Sequence, residues 1–67
     1  MTPEAIAIAL TEERKRLGVT QQEVANRMGK HISFVQSIEY HPTTNRKIQT
    51  YIAYAEALGV KLEFALS

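Results

Sequence analysis

Apolar residues recur at helical spacing along most of this 67-residue chain, broken at three glycines, and the spacing drops to two only at the end. Ile6, Leu10 and Leu17 mark a first stripe, with Thr2 as cap, Pro3 at the first helical position and Gly18 as the stop. Val24, Ala25 and Met28 form a second stripe after Thr20, and Glu23 follows that threonine at the spacing of a capping box. A third helix is predicted from about Ile32 to Tyr40, carrying Val35 and Ile38; Pro42 blocks its continuation because it lacks a donor and restricts His41. A fourth should run from about Asn45 or Arg46 to Leu58, with Ile48, Ile52, Ala55 and Leu58 inward and Gly59 as its end. The pattern predicts an all-α domain of four helices over residues 1–59.

Beyond Gly59 the period changes. Val60, Leu62, Phe64 and Leu66 alternate with Lys61, Glu63, Ala65 and Ser67, the repeat of a strand with one covered face. Nothing else in the chain reads as a strand, so its backbone groups need a partner, and a second copy related by a two-fold axis supplies one. Residues 60–67 are therefore expected to be a short C-terminal β-strand pairing across a homodimer, with Leu62, Phe64 and Leu66 at the interface. The alternative is a short fifth helix packed into the core. Tyr51 and Tyr54, three apart on the fourth helix, are placed at the core edge or at the same dimer contact.

Residues 20–39, TQQEVANRMGKHISFVQSIE, carry the most information. Gln21, Ala25 and Gly29 lie four apart, so the first two share a helical face and the glycine falls where the helix must stop and turn. Val35 and Ile38 then open a second stripe that closes on Glu39, and small Ala25 lets the second helix cross the first closely. This is the geometry of a helix-turn-helix, whose second helix stands out from the body to enter a major groove.

TQQEVANRMG, SFVQSIE and YAEALGV together resemble the phage repressor and Cro type of helix-turn-helix, often called the Xre family, from about Glu12 to Val60. Two departures touch the edges of the reading helix: His31 stands where Ser or Thr usually caps it, and His41-Pro42 replaces the glycine that commonly follows the Ile-Glu pair. The resemblance implies a repressor-like fold, with Ile32, Ser33, Gln36 and Ser37 facing the groove and Phe34 at the margin. It also implies a phosphate-clamping role for Gln21 and a structural ion pair between Arg14 and Glu39. Gln36 could offer a donor and an acceptor to an adenine edge, and Ser33 and Ser37 could bond a base or a phosphate. Ile32 or Phe34 could pack on a thymine methyl, or else be buried against the second helix or the loop. No arginine lies on this face, which favours half-sites containing A·T pairs. Lys30 beside the third helix, and the loop residues Thr43, Thr44, Asn45, Arg46 and Lys47, are candidates for the DNA backbone.

The implied activity is transcriptional repression by a homodimer on an inverted-repeat operator in double-stranded DNA. Two other readings stay open: an antitoxin that holds a protein toxin and autoregulates its operon, and a phage switch protein. Charge agrees with a DNA partner. Residues 14–47 hold seven basic groups against two acids, although the whole chain has a net charge of only +1. A chain this short hides only about 60% of its unfolded surface, so a partner subunit would help its core.

The remaining chemistry is sparse. The chain contains no cysteine and no aspartate, has no glycine-rich phosphate loop and no Ser-His-acid set, and its two histidines have no second ligand at helical spacing. No enzyme activity, cofactor or metal is expected. No apolar run reaches membrane-spanning length, and MTPEAIAIAL carries an acid where a signal peptide would carry positive charge, so the expectation is a cytoplasmic protein without membrane contact.

Overall fold

In the computed structural model, which describes residues 2–62, local side-chain chemistry sets where each helix begins. Helix α1 (Pro3–Arg16) starts on Thr2, whose hydroxyl accepts from the Ala5 N–H at 3.1 Å. Helix α2 (Gln21–Met28) starts on Thr20 with a complete capping box: Glu23 N–H donates to the threonine hydroxyl at 3.0 Å and Thr20 N–H to the Glu23 carboxylate at 3.2 Å. Helix α3 (Ile32–Tyr40) starts on His31, and helix α4 (Ile48–Leu58) on Lys47 without a side-chain cap.

Three of the four helices end on glycine. At Gly29 φ is +69°, the left-handed region, and the reversal lets Gly29 N–H reach the Asn26 carbonyl and Lys30 N–H the Ala25 carbonyl. A side chain would fit there sterically but strain the backbone, so the glycine is required by φ alone. The same pair of bonds closes α1 at Gly18 and α4 at Gly59.

The expected all-α architecture forms: four helices, with no strand among the described residues. Helix α2 packs on α3 and α4, and α1 packs on α3 and α4, around a core of Ile6, Ala7, Leu10, Val24, Ala25, Val35, Ile38, Tyr51, Tyr54, Ala55, Ala57 and Leu58. Ala25 and Val35 are fully buried, so small and medium side chains let the two middle helices approach closely.

Several expectations need correction. Helix α4 starts at Ile48, not at Asn45 or Arg46. Its inward stripe is Tyr51, Tyr54, Ala55 and Leu58, whereas Ile48 and Ile52 are 42% and 37% exposed. Tyr51 and Tyr54 are therefore core residues rather than dimer contacts, being 1% and 0% exposed within one chain. The reason lies in what each face meets: the Tyr54 hydroxyl donates to Glu39 on α3, which turns the tyrosines inward and rotates the isoleucines out. Leu17 is also exposed, because the chain reverses at Gly18 and Val19 folds onto the core instead. Of the expected strand, Val60 and Leu62 lie half-buried against the core without forming one; Phe64 and Leu66 lie outside the described residues.

Tyr51 is unusual in another respect. Its hydroxyl is buried without a hydrogen-bond partner among the described residues, which costs about 1–3 kcal/mol of desolvation. Tyr51→Phe should therefore leave stability unchanged or raise it by up to about that amount in urea unfolding. A clear loss would mean that the hydroxyl is bonded.

Candidate nucleic-acid interface

The carboxylate of Glu39, on α3, receives donors from all three other helices. Arg14 from α1 donates through Nε to Oε2 at 2.7 Å and through Nη2 to Oε1 at 2.9 Å. Gln21 from α2 donates to Oε1 at 2.9 Å, and the Tyr54 hydroxyl from α4 donates to Oε2. Arg14 Nη1 also donates to the Val19 carbonyl at 2.9 Å, tying in the turn between α1 and α2. The Glu39 side chain is only 3% exposed and that of Arg14 11%, so the paired charges are largely withdrawn from water.

These bonds decide the protonation states. Burial is the largest single influence on Glu39 and pushes its pKa up, but donors from Arg14, Tyr54 and Gln21 and the guanidinium charge outweigh it, leaving the carboxyl below its ordinary value. Tyr54 is raised, by burial first and then by the anion it donates to. Arg14 is raised by its hydrogen bonds to Glu39.

With α3 fixed this way, its outer face presents Ser33 and Ser37, both exposed, and Gln36, half-buried. Ile32 and Phe34, expected near the groove, are half-buried and pack against the core. Phe34 also lies under Lys30, whose ammonium stands 5.3 Å from the ring centroid. The helix start is closed by His31: Nδ1 accepts from Ser33 N–H at 3.1 Å and lies 2.9 Å from the Ser33 hydroxyl.

At the other end of α3 the cap is Arg46, reaching back from the loop. Its Nη2 donates to the Ser37 carbonyl at 2.7 Å and hydroxyl at 3.2 Å, while Nη1 donates to the carbonyls of His41 and Thr44 at 3.0 and 3.2 Å. Arg46, read from the sequence as a phosphate ligand, thus has its terminal donors engaged with the protein. Gln21 is similarly occupied, since its amide donates to Tyr40 Oη at 3.3 Å as well as to Glu39. Lys30, Thr43, Thr44, Asn45 and Lys47 are exposed around α3 and its following loop. Arg27, counted among the basic residues, donates to the Ala57 carbonyl at the end of α4 at 2.7 Å.

Sequence reasoning did not single out Tyr40. It ends α3, is 63% exposed, and lines an open hollow with Lys15, Thr20 and Gln21 at the start of α2. Its exposed aromatic character beside a proline loop was the only signal for it.

A sequence-family model described as helix-turn-helix matches residues 10–64, from the second half of α1 to beyond the end of α4. The chain belongs to that family, of the phage repressor and Cro type. No curated protein and no solved structure matches it. The helix-turn-helix pair is α2 and α3, and a domain of this family is a DNA-binding transcriptional regulator. Among the described residues no helix is long and apolar enough to cross a membrane, and no group of three His, Cys, Asp or Glu side chains could hold a metal.

Two predictions follow from the Glu39 cluster. Glu39→Ala leaves Arg14 and Tyr54 with unmatched donors and should lower unfolding free energy by about 3–5 kcal/mol, measured in urea. Unchanged stability with lost DNA binding would instead place Glu39 in the contact surface. The second concerns acid. Because the folded carboxyl titrates below its ordinary value of 4.5, the stability it contributes is full above that value and is lost as pH falls through the lower, folded value. The urea midpoint should therefore drop on acidification below about pH 4.5, with a shallower drop in Glu39→Gln.

Proposed function

We propose that the protein is a transcriptional repressor that binds an inverted-repeat operator as a homodimer, reading each half-site with α3. The observation that carries this is the outer face of α3: Ser33, Gln36 and Ser37 stand together on a helix anchored from behind by Glu39 and flanked by exposed Lys30 and Lys47. Gln36 reads an adenine edge through its paired donor and acceptor. Lys30, Lys47, Thr43, Thr44 and Asn45 hold phosphates, which sets position and affinity without conveying sequence. The amino end of α2 adds a positive dipole end beside the hollow lined by Lys15 and Tyr40.

Gln21 and Arg46 contribute indirectly: Gln21 braces Glu39 and Tyr40, and Arg46 secures the end of α3. A homodimer, joined through residues 60–67, would place its two α3 helices in successive major grooves on half-sites about 10 bp apart.

The test is selection from a pool of randomised duplexes, followed by fluorescence-polarisation binding of the recovered sequence and a scrambled control at two salt concentrations. The expected outcome is an inverted repeat, preferred over the control, with affinity falling steeply as salt rises. Recovery of no consensus would overturn the reading. Gln36→Ala should lose about 1–3 kcal/mol for the selected duplex only, whereas Lys47→Ala should weaken both duplexes together and lower the salt slope by about one unit.

A further inference from the structure

A serine hydroxyl ordinarily recognises either partner of a hydrogen bond, because its proton rotates to suit. The two serines on the outer face of α3 lack that freedom. Arg46 is a guanidinium, with donors and no acceptor, so its 3.2 Å contact to Ser37 makes the serine oxygen the acceptor. The Ser37 proton then remains to be donated. It is not used inside the helix: Thr11 on α1 donates its hydroxyl to the carbonyl four residues back, but Ser37 makes no such bond to Ser33 among the described residues.

Ser33 is held in the opposite sense. His31 Nδ1 accepts the Ser33 backbone N–H, so that nitrogen carries no proton and can only accept from the nearby Ser33 hydroxyl at 2.9 Å. The Ser33 proton is thereby directed at the imidazole, and what faces outward is oxygen lone pairs.

We propose that α3 reads DNA with fixed hydrogen-bond polarity, Ser33 as acceptor and Ser37 as donor, set by the positioning residues His31 and Arg46. The inference rests on α3 being the reading helix. Its consequence for Ser33 is selective. Phosphate oxygens and thymine O4 offer no donor, so the Ser33 hydroxyl is excluded from backbone contact and recognises a base amino group, adenine N6 or cytosine N4. Ser37 takes an acceptor, either a purine N7 or a phosphate oxygen. The two residues lie four apart and so one helical turn apart on one stripe, which places the two contacts along the same stretch of duplex.

The experiment uses the duplex selected by the full chain, rebuilt with single-atom changes: adenine or cytosine without its amino group, 7-deazapurine in place of purine, and methylphosphonate in place of phosphate. Each is titrated against the wild type, Ser33→Ala and Ser37→Ala. Amino-group removal at one position should weaken the wild type about fivefold and Ser33→Ala not at all. One 7-deazapurine or one methylphosphonate should do the same for Ser37, and which of them does so separates base from backbone. In Arg46→Ala the ratio between acceptor-bearing and acceptor-free duplexes at that position should collapse. If Arg46→Ala instead weakens every duplex by one common factor, Arg46 does not set the polarity of Ser37. Coupling of Ser33 to an acceptor or a phosphate, or coupling of neither serine to any altered atom, overturns the fixed polarity while the selected sequence still establishes DNA reading. Failure to select any sequence overturns the reading itself, and this inference with it.

Discussion

A single carboxylate holds the four helices in register. Burying Glu39 as an anion would be prohibitive alone, since an ionised group transferred from water to an apolar interior loses several kcal/mol of hydration. The chain resolves this by filling the carboxylate's accepting positions with Arg14, Gln21 and Tyr54, one group from each other helix. Apolar packing draws helices together without direction, whereas a bidentate guanidinium and two further donors fix angle and distance. The orientation of α3 relative to the body is therefore set by directed bonds, while twelve buried apolar residues supply the attraction.

The same economy changes how the basic stretch works. Counting charges from the sequence treats each arginine between residues 14 and 47 as a group free to meet a phosphate. All four act otherwise: Arg14 meets Glu39, Arg16 the Glu13 carboxylate on its own helix, Arg27 the end of α4 and Arg46 the end of α3. Arg14 is offset by the carboxylate it meets and Arg27 stands near Glu23, whereas Arg46 donates only to neutral oxygens and so keeps its full charge, felt over about 10 Å at 0.1 M salt. The groups left exposed around α3 for close contact with a polyanion are instead Lys30, Lys47 and the threonines of the loop. This division also suits the arginine, whose planar fork satisfies several carbonyls at once, better than the single point of a lysine ammonium.

Most helix ends were legible because local chemistry writes them. Thr2, the Thr20–Glu23 pair and the glycines at 18, 29 and 59 act within one turn, and α1 and α2 begin and end, and α4 ends, where those residues indicate. The inward face of α4 was not legible. Ile48 and Ile52 repeat at helical spacing as convincingly as Tyr51 and Tyr54, and hydropathy favours the isoleucines. The tie is broken by a bond to Glu39 from another helix, which no local pattern records. Likewise the family resemblance put the serines of α3 on its outer face, but not the direction of their hydroxyls, since that depends on an imidazole two residues back and a guanidinium nine residues ahead. The alternation after Gly59 is a different case, because a strand needs a ladder partner: of residues 60–67 only 60–62 are described, with Val60 and Leu62 against the core of their own chain.

A nine-residue helix such as α3 is too short to be stable in water by itself, because its nucleation penalty is spread over few hydrogen bonds. Here it is constrained at three levels: His31 satisfies its first free N–H groups, Glu39 anchors its inner face, and Arg46 binds its terminal carbonyls. None of these groups is the serine or glycine that usually closes such a helix, yet His31 accepts the Ser33 N–H at its start and Arg46 donates to the Ser37 and His41 carbonyls at its end. The ordering entropy of α3 is therefore lost during folding and need not be lost again on meeting DNA, so on the proposed reading a contact from its outer face would appear in the affinity with little deduction.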